Sequence, residues 1–272
     1  MANVILATDY SEQAMRACVY ALKLFGPTGR TYRLTHAYLA TDEGFSEWPT
    51  VGTELYSLAT IGMSEWSKRL EAMPEAQGAV LVKDVVYGPL PGMLNETAKE
   101  YSSELVVMGT QGASGAGILG STAASMVKHS SVPVLVVPSG SVERPVKRIL
   151  FADDGQGVVD AGALTMLVDI ATRTRAEVLL AHVVQNKDEI PKDGVVAEYG
   201  RMLAGVPHRF ISTVGEDPAA ALDLLAEEEQ ADMIAVLHRH AGFMDSLFHN
   251  STAKKLALHV NIPLLVLQAV QH

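Results

Sequence analysis

The feature that most constrains the fold of this 272-residue chain is an internal repeat. NVILATDYSEQAM near the start matches KRILFADDGQGVVDAG near the middle, with Asp9 opposite Asp153. Farther along, GSTAASMVKHSSVPVLVV matches NSTAKKLALHVNIPLLVL, with Ser121 opposite Ser251. The matches keep the same order in both halves, as expected for a duplicated structural unit.

The junction between the repeats lies in PSGSVERPV, whose Pro, Ser and Gly residues are typical of a linker. We therefore predict a first domain at residues 1–141 and a second at residues 142–272. The segment between the second and third strands is shorter in the second domain than in the first.

Strands and helices alternate within each half. The apolar runs lack polar alternation, which is typical of strands covered by helices on both faces. Five strands alternating with four helices predict an α/β fold, a doubly wound parallel sheet with right-handed crossovers, in each half. In the first half the predicted elements, in chain order, are VILAT, a helix after Ser11, Tyr32–Ala37, Glu54–Met73, Val80–Val86, Pro91–Tyr101, Leu105–Met108, Thr122–Ser130 and Val134–Val137.

The sequence indicates where the helix after the first strand begins and which of its faces is apolar. Ser11 is a suitable N-cap, and Ala14, Cys18, Leu22 and Phe25 recur at helical spacing. Cys18, the one cysteine of the chain, is therefore predicted to be a packed thiol rather than a nucleophile.

A glycine-rich segment follows the fourth strand of the first half. It runs from Gly109 through Gly112 to Gly120, and Ser121 and Thr122 then begin a helix. Small residues leave backbone N–H groups accessible, and a helix N-terminus carries partial positive charge. The segment thus predicts a binding site for an anionic group, although Ser121 and Thr122 would also suit plain N-caps.

In doubly wound sheets, ligands bind beyond the carboxyl ends of the strands, where the strand order reverses. Those ends carry Asp9, His36-Ala37 and Gly109, which come from different strands. We expect them to converge at one rim. Asp9 would face a ligand there, or would serve with Ser11 to cap the first helix.

These motifs resemble the universal stress protein family, in particular its tandem two-domain members. The resemblance covers essentially the whole chain and depends on Asp9, the glycine loop from Gly109 and the closing Pro-Val-Leu-Val-Val strand. It implies α/β/α domains with strand order 3-2-1-4-5. It also implies that the last strands, Val134–Val137 and Leu264–Leu267, pair across the two domains as an intramolecular pseudo-dimer. Two chains would be able to associate further as a homodimer.

By the same resemblance, the first domain binds ATP or a related adenine nucleotide, with or without Mg²⁺. Asp9 and the Ala37 backbone would contact adenosine, while Met108, Gly109 and Gly112 would contact ribose. Phosphates would lie at the start of the last helix. The full set of implied binding residues is Ala7, Thr8, Asp9, Ala37, Met108, Gly109, Gly112, Gly120, Ser121 and Thr122.

Loop length departs from the family pattern. Seven residues separate Gly112 from Gly120, two fewer than is typical of ATP-binding members. Five glycines from Gly109 to Gly120 tolerate unusual dihedral angles, so the shorter loop can still wrap phosphate. The alternative is that it folds into the pocket.

The second half lacks the loop glycines. By alignment, Leu237, Arg239 and His240 stand in place of Gly109, Gln111 and Gly112, Asn250 replaces Gly120, and Asp154 adds negative charge. We therefore expect no ATP in the second domain.

Composition argues against several other functions. The net charge is −10 without a basic stripe, which disfavours nucleic acid, and no run of eighteen or more apolar residues would span a membrane. The start of the chain lacks the pattern of a signal peptide, so we expect a cytoplasmic protein. His238, His240, His249 and His259 do not have the spacing of a metal site, and we predict no bound metal.

Three functions remain open. The first is a stress-response regulator that binds nucleotide without efficient catalysis. The second is a slow ATP hydrolase, which the sequence disfavours because the nearest cation after the glycines is Lys128, two turns along the helix. The third is an interaction or scaffold module that binds no nucleotide. We predict no catalytic residues.

If the first hypothesis is correct, adenine nucleotide is expected to co-purify with the protein. Heat denaturation should then release adenine absorbance into the supernatant. ATP–Mg²⁺ should raise the melting temperature, because a ligand that binds only the folded state stabilises it. The absence of any shift in the wild type, with Gly109→Leu behaving identically, would remove the regulator hypothesis.

Overall fold

The computed structural model describes residues 2–39, 48–110, 120–140, 144–153, 161–184, 193–215, 218–238 and 262–269. Among these, the residues up to Val132 form one compact unit and those from Pro133 form a second. The predicted boundary at residues 141/142 concerns the sequence repeat and stays a prediction.

The first unit alternates strands and helices in the predicted order. Most bounds agree within two residues, but the second helix begins six residues earlier than predicted, at Trp48 instead of Glu54. The elements are β1 (Ala2–Ala7), α1 (Glu12–Phe25), β2 (Arg30–Tyr38), α2 (Trp48–Glu71), β3 (Val80–Tyr87), α3 (Leu90–Glu100), β4 (Ser103–Gly109) and α4 (Ser121–His129).

The strands of the first unit are parallel and run in the order β3-β2-β1-β4. The chain steps from β1 to β3 in one direction and returns to β4 on the other side of β1. Right-handed crossovers therefore put α1 and α2 on one face of the sheet and α3 on the other. The strand order reverses at β1, and this reversal creates a crevice at the carboxyl ends of β1 and β4.

Helix α1 has the start and the apolar face that the sequence predicted. The Ser11 hydroxyl accepts a hydrogen bond from the Ala14 N–H at 3.1 Å, so Ser11 is the N-cap. Ala14, Cys18, Leu22 and Phe25 are all buried, and burial raises the pKa of the Cys18 thiol. The helix therefore presents one apolar face to the sheet.

The second unit contains a complete copy of the predicted strand order. Its parallel strands run β10-β9-β6-β7-β8, which is 3-2-1-4-5 when they are numbered within the repeat and read from β8. The elements are β6 (Arg148–Asp153), α5 (Thr165–Thr174), β7 (Glu177–Val184), α6 (Asp193–Met202), β8 (His208–Val214), α7 (Pro218–Glu228), β9 (Met233–His238) and β10 (Leu264–Gln268).

Strand β5 (Val134–Val137) pairs with β10 in antiparallel orientation, with Leu135 opposite Leu265. This confirms the predicted pairing of the two last strands. Strand β5 lies in the second compact unit together with β10, although it ends the first sequence repeat. The doubly wound α/β fold is confirmed, and among the described strand pairs β5–β10 is antiparallel while the others are parallel.

Helix α2 is the longest described helix, with 24 residues, and it carries both buried and exposed apolar side chains. Met63 and Trp66 are buried, whereas Leu58 and Ile61 are more than half exposed. Among the described helices, α2 included, none is both long and apolar enough to cross a membrane.

The β5–β10 pair predicts a large difference between two leucine truncations. Leu135 is fully buried and faces Leu265 across the pair, whereas Leu58 is 65% exposed. Leu135→Ala is expected to lower the free energy of unfolding by about 2–5 kcal/mol, since it removes buried methyl groups and leaves a cavity. Leu58→Ala, the matched control, should change it by less than about 0.5 kcal/mol. Urea unfolding would measure both, and equal effects would contradict the observed packing.

Candidate functional site

A cavity of about 540 Å³ lies in the first unit at the carboxyl ends of β1, β2 and β4. It occupies the crevice where the strand order reverses. Its wall combines strand ends with the beginnings of α3 and α4. The lining residues are Ala7, Thr8, Asp9, Ala14, His36, Ala37, Leu39, Gly88, Leu90, Met108, Gly109, Thr110, Gly120, Ser121, Thr122 and Ala123.

The turn from β1 into α1 is held by its own side chains. The Thr8 hydroxyl accepts a hydrogen bond from the Tyr10 N–H at 2.9 Å, and the Asp9 carboxylate accepts one from the Ser11 N–H at 3.1 Å. Tyr10 has a φ of 66°, a conformation that bulky residues seldom adopt. Asp9 is exposed and lines the cavity, so its bond to Ser11 and a ligand-facing role are compatible.

Tyr10 is anchored on α2. Its hydroxyl donates to the Ala59 carbonyl at 2.6 Å, and burial raises the pKa of Tyr10 to about 12. The phenol therefore remains a donor at neutral pH. Its ring stacks on the His36 imidazole with centroids 4.1 Å apart, and the Trp66 ring lies 6.4 Å away. The cavity wall is thus connected to the packing of α2.

Gly109 ends β4 at a close approach to α1. A Cβ at this position would lie 2.8 Å from Cγ of Gln13 and 3.4 Å from the Gln13 carbonyl oxygen. The position therefore needs glycine for packing against α1, whether or not a ligand is bound. The sequence had given Gly109 a ligand-contacting role alone.

Helix α4 begins at the cavity without a side-chain cap. Its N-cap is Gly120, and within the described residues no side chain caps the first turn. Ser121 and Thr122 are exposed and line the cavity. Because the N-cap is Gly120, neither of them is the N-cap that the sequence had left as an alternative. The Gly120 N–H donates to the Thr110 carbonyl at 2.6 Å, which joins the two ends of the glycine-rich segment.

Nine of the ten residues predicted for the site line this one cavity. The tenth, Gly112, lies outside the described residues. The lining also includes His36, Gly88 and Leu90, which the predicted set lacked. The sequence could have indicated Gly88 as a site residue, since Gly88 directly follows the third strand and aligns with Gly215 in the second half.

Gly88 is restricted by its surroundings as well as by its backbone. Its φ is 139°, and a Cβ there would lie 2.7 Å from Sδ of Met93. Its N–H donates to the Tyr38 carbonyl at 3.0 Å, which connects the ends of β3 and β2. Gly88 therefore belongs to the wall through its backbone.

Strand register changes one correspondence between the halves. Leu6 pairs with Val107, whereas Leu150, its counterpart, pairs with Ile234. Gly109 follows Val107 by two residues, and Val236 follows Ile234 by two residues. Val236, and not Leu237, is therefore the residue of the second half that corresponds in strand register to Gly109. The one-residue shift arises because β4 has an irregularity between Ser103 and Leu105, which makes Glu104 an extra residue. The second half therefore still has a branched side chain, that of Val236, where the first half has Gly109. The other residues predicted to block the second site lie outside the described residues: Arg239, His240, Asn250 and Asp154.

Comparison with known proteins identifies relatives over most of the chain. The model of the universal stress protein family matches residues 1–138 and 197–268. A universal stress protein of Mycolicibacterium smegmatis is 28% identical over 185 residues, which are 61% of this chain and 62% of that protein. The match therefore spans less than two thirds of that relative's length.

Solved structures resemble the whole chain. A universal stress protein from Archaeoglobus fulgidus has a TM-score of 0.72 at 20% identity, and the match covers 98% of this chain and 96% of that one. A universal-stress-type structure from Pseudomonas aeruginosa has a TM-score of 0.55 at 16% identity, covering 98% and 92%. At these identities the similarity shows the fold.

The contact between Gly109 and Gln13 predicts a coupled pair of substitutions. Gly109→Ala is expected to lower the free energy of unfolding of the ligand-free protein by about 1–3 kcal/mol, because the new methyl group overpacks against Gln13. Adding Gln13→Ala removes Cγ and should restore most of that loss. Urea unfolding of the four proteins in a double-mutant cycle measures the coupling. Strictly additive effects would contradict the contact.

Proposed function

This chain belongs to the universal stress protein family, and on that basis we propose that its first unit binds an adenine nucleotide, ATP or a close relative, as a regulatory ligand in a stress response. The second unit binds none. The nucleotide acts as an effector whose presence shifts the protein between conformations or assembly states.

The observation that carries the proposal is the convergence of nine predicted residues on one cavity. Those residues lie at or directly beside the carboxyl ends of three strands and the start of one helix, and they range from Ala7 to Thr122 along the chain. The cavity volume of about 540 Å³ falls within the roughly 300–1,000 Å³ that is usual for small-molecule sites. Its position at the strand-order reversal is where doubly wound sheets bind ligands.

One side of the cavity suits an adenosine group. Ala7, Ala37 and Met108 supply apolar surface, and the Asp9 carboxylate is an acceptor for hydroxyl or amino groups. Asp9 would alternatively contact a Mg²⁺ ion carried by the phosphates.

The other side suits phosphate. The first turn of α4 directs backbone N–H groups outward, and Gly120 adds no side chain that would compete for them. The Ser121 and Thr122 hydroxyls lie beside these groups and are able to donate to phosphate oxygens.

The lining chemistry favours binding over hydrolysis. Of the cavity-lining residues in the described part of the chain, Asp9 is acidic and none is Lys or Arg. Phosphoryl transfer depends on neutralising the charge that develops on the phosphate. We therefore propose an effector role for the nucleotide, with hydrolysis no faster than a slow side reaction.

A comparison of hydroxyl deletions on α4 tests the proposal. The double variant Ser121→Ala, Thr122→Val removes both hydroxyls that line the cavity and should weaken ATP binding about tenfold or more, since a hydrogen bond to a charged group contributes about 1.5–3 kcal/mol. Ser125→Ala removes a hydroxyl from the same helix outside the cavity lining and is the matched control. Isothermal titration calorimetry measures both dissociation constants.

Two results would contradict the proposal. One is wild-type protein that binds no adenine nucleotide in calorimetry. The other is a double variant that binds ATP as tightly as the Ser125→Ala control does. Phosphate release that is rapid above a blank would replace the effector role with an enzymatic one.

A further inference from the structure

His36 is a polar residue of the cavity lining that the predicted site lacked. His36 lies near the end of β2, directly before Ala37, and is half-buried. Its Nδ1 lies 2.8 Å from the Thr8 carbonyl oxygen, and Thr8 directly precedes Asp9. The ring therefore joins the two strand ends that carry Ala37 and Asp9.

This hydrogen bond fixes the tautomer of the neutral ring. A carbonyl oxygen can only accept, so Nδ1 carries the hydrogen and donates it. Nε2 is then left with a lone pair and is an acceptor. In the described part of the chain the ring makes no second hydrogen bond, and Nε2 is not among the fully buried polar atoms without a partner.

The ring is also held in orientation. Tyr10 stacks on it with an interplanar angle of 23°, and Tyr10 is itself fixed by its bonds to Ala59 and Thr8. Turning the imidazole over would put Cδ2 in place of Nδ1 and Cε1 in place of Nε2, which breaks the bond to Thr8. The acceptor is thus presented in one fixed direction, as a specificity-determining group requires.

We propose that His36 selects the base of the bound nucleotide, because its Nε2 accepts a hydrogen bond from the 6-amino group of adenine. The inference rests on the proposed function, which assigns the adenosine group to the side of the cavity that carries Asp9 and Ala37. A purine without a donor at position 6 leaves Nε2 unpaired and binds more weakly.

The test compares ATP with purine riboside 5′-triphosphate, which differs from ATP by lacking the 6-amino group. Both are titrated calorimetrically into the full chain as wild type, His36→Asn and His36→Gln. Asparagine places an amide nitrogen near the position of Nδ1 and keeps the bond to Thr8, but it has no group at Nε2. Glutamine places its amide oxygen near Nε2 and restores the acceptor.

Wild type is expected to prefer ATP roughly 3- to 10-fold, the contribution of one hydrogen bond between neutral groups in a partly exposed site. His36→Asn should lose this preference, and His36→Gln should retain most of it. Circular dichroism melting of both variants checks that they fold.

Each other outcome overturns the inference. If His36→Asn keeps the wild-type preference, or if both variants lose it equally, Nε2 is not the acceptor and the ring acts through packing. If wild type binds both triphosphates equally, the inference about His36 fails while the proposed function stands. If wild type binds neither triphosphate, the proposed function fails as well.

Discussion

The pairing of β1 with β2 on one side and with β4 on the other is the constraint on which the first unit depends. Since both pairs are parallel, all three strands end at the same rim, and right-handed crossovers send the following helices to opposite faces. The crevice between those helices cannot be filled by the sheet itself. Asp9, Ala37 and Gly109 become neighbours for this reason, although about 100 residues separate the first from the last.

The wall of that crevice is built largely from backbone and short side chains. Gly88 and Gly109 are each required where another element approaches closely, at Met93 and Gln13 respectively. The same property that lets a helix pack against a strand end also leaves main-chain groups near the cavity. Glycine at such a rim therefore serves two purposes: it allows close packing and it leaves main-chain groups accessible to a ligand. The packing requirement applies even when no ligand is bound.

The two halves share a fold but differ at this rim. Val236 lies at the level of Gly109, and the shift of one residue in β4 at Glu104 changes which side chains meet there. A sheet tolerates such differences because its stability comes from buried strands such as β1 and β6, whose apolar residues are covered on both faces. Duplication can thus preserve the core of both copies while the strand ends diverge.

The sequence by itself determined the alternation of strands and helices, the Ser11 cap and nine of the residues that line the cavity at the rim. Periodicity, capping and the convergence of parallel strand ends depend on local sterics and on strand order, which can be read from the pattern. Only the tertiary structure decided the contact of Gly109 with Gln13, the register shift at Glu104 and the orientation of His36 against Thr8 and Tyr10. These features depend on side-chain packing between segments distant in the chain, and no spacing along the sequence encodes such distances.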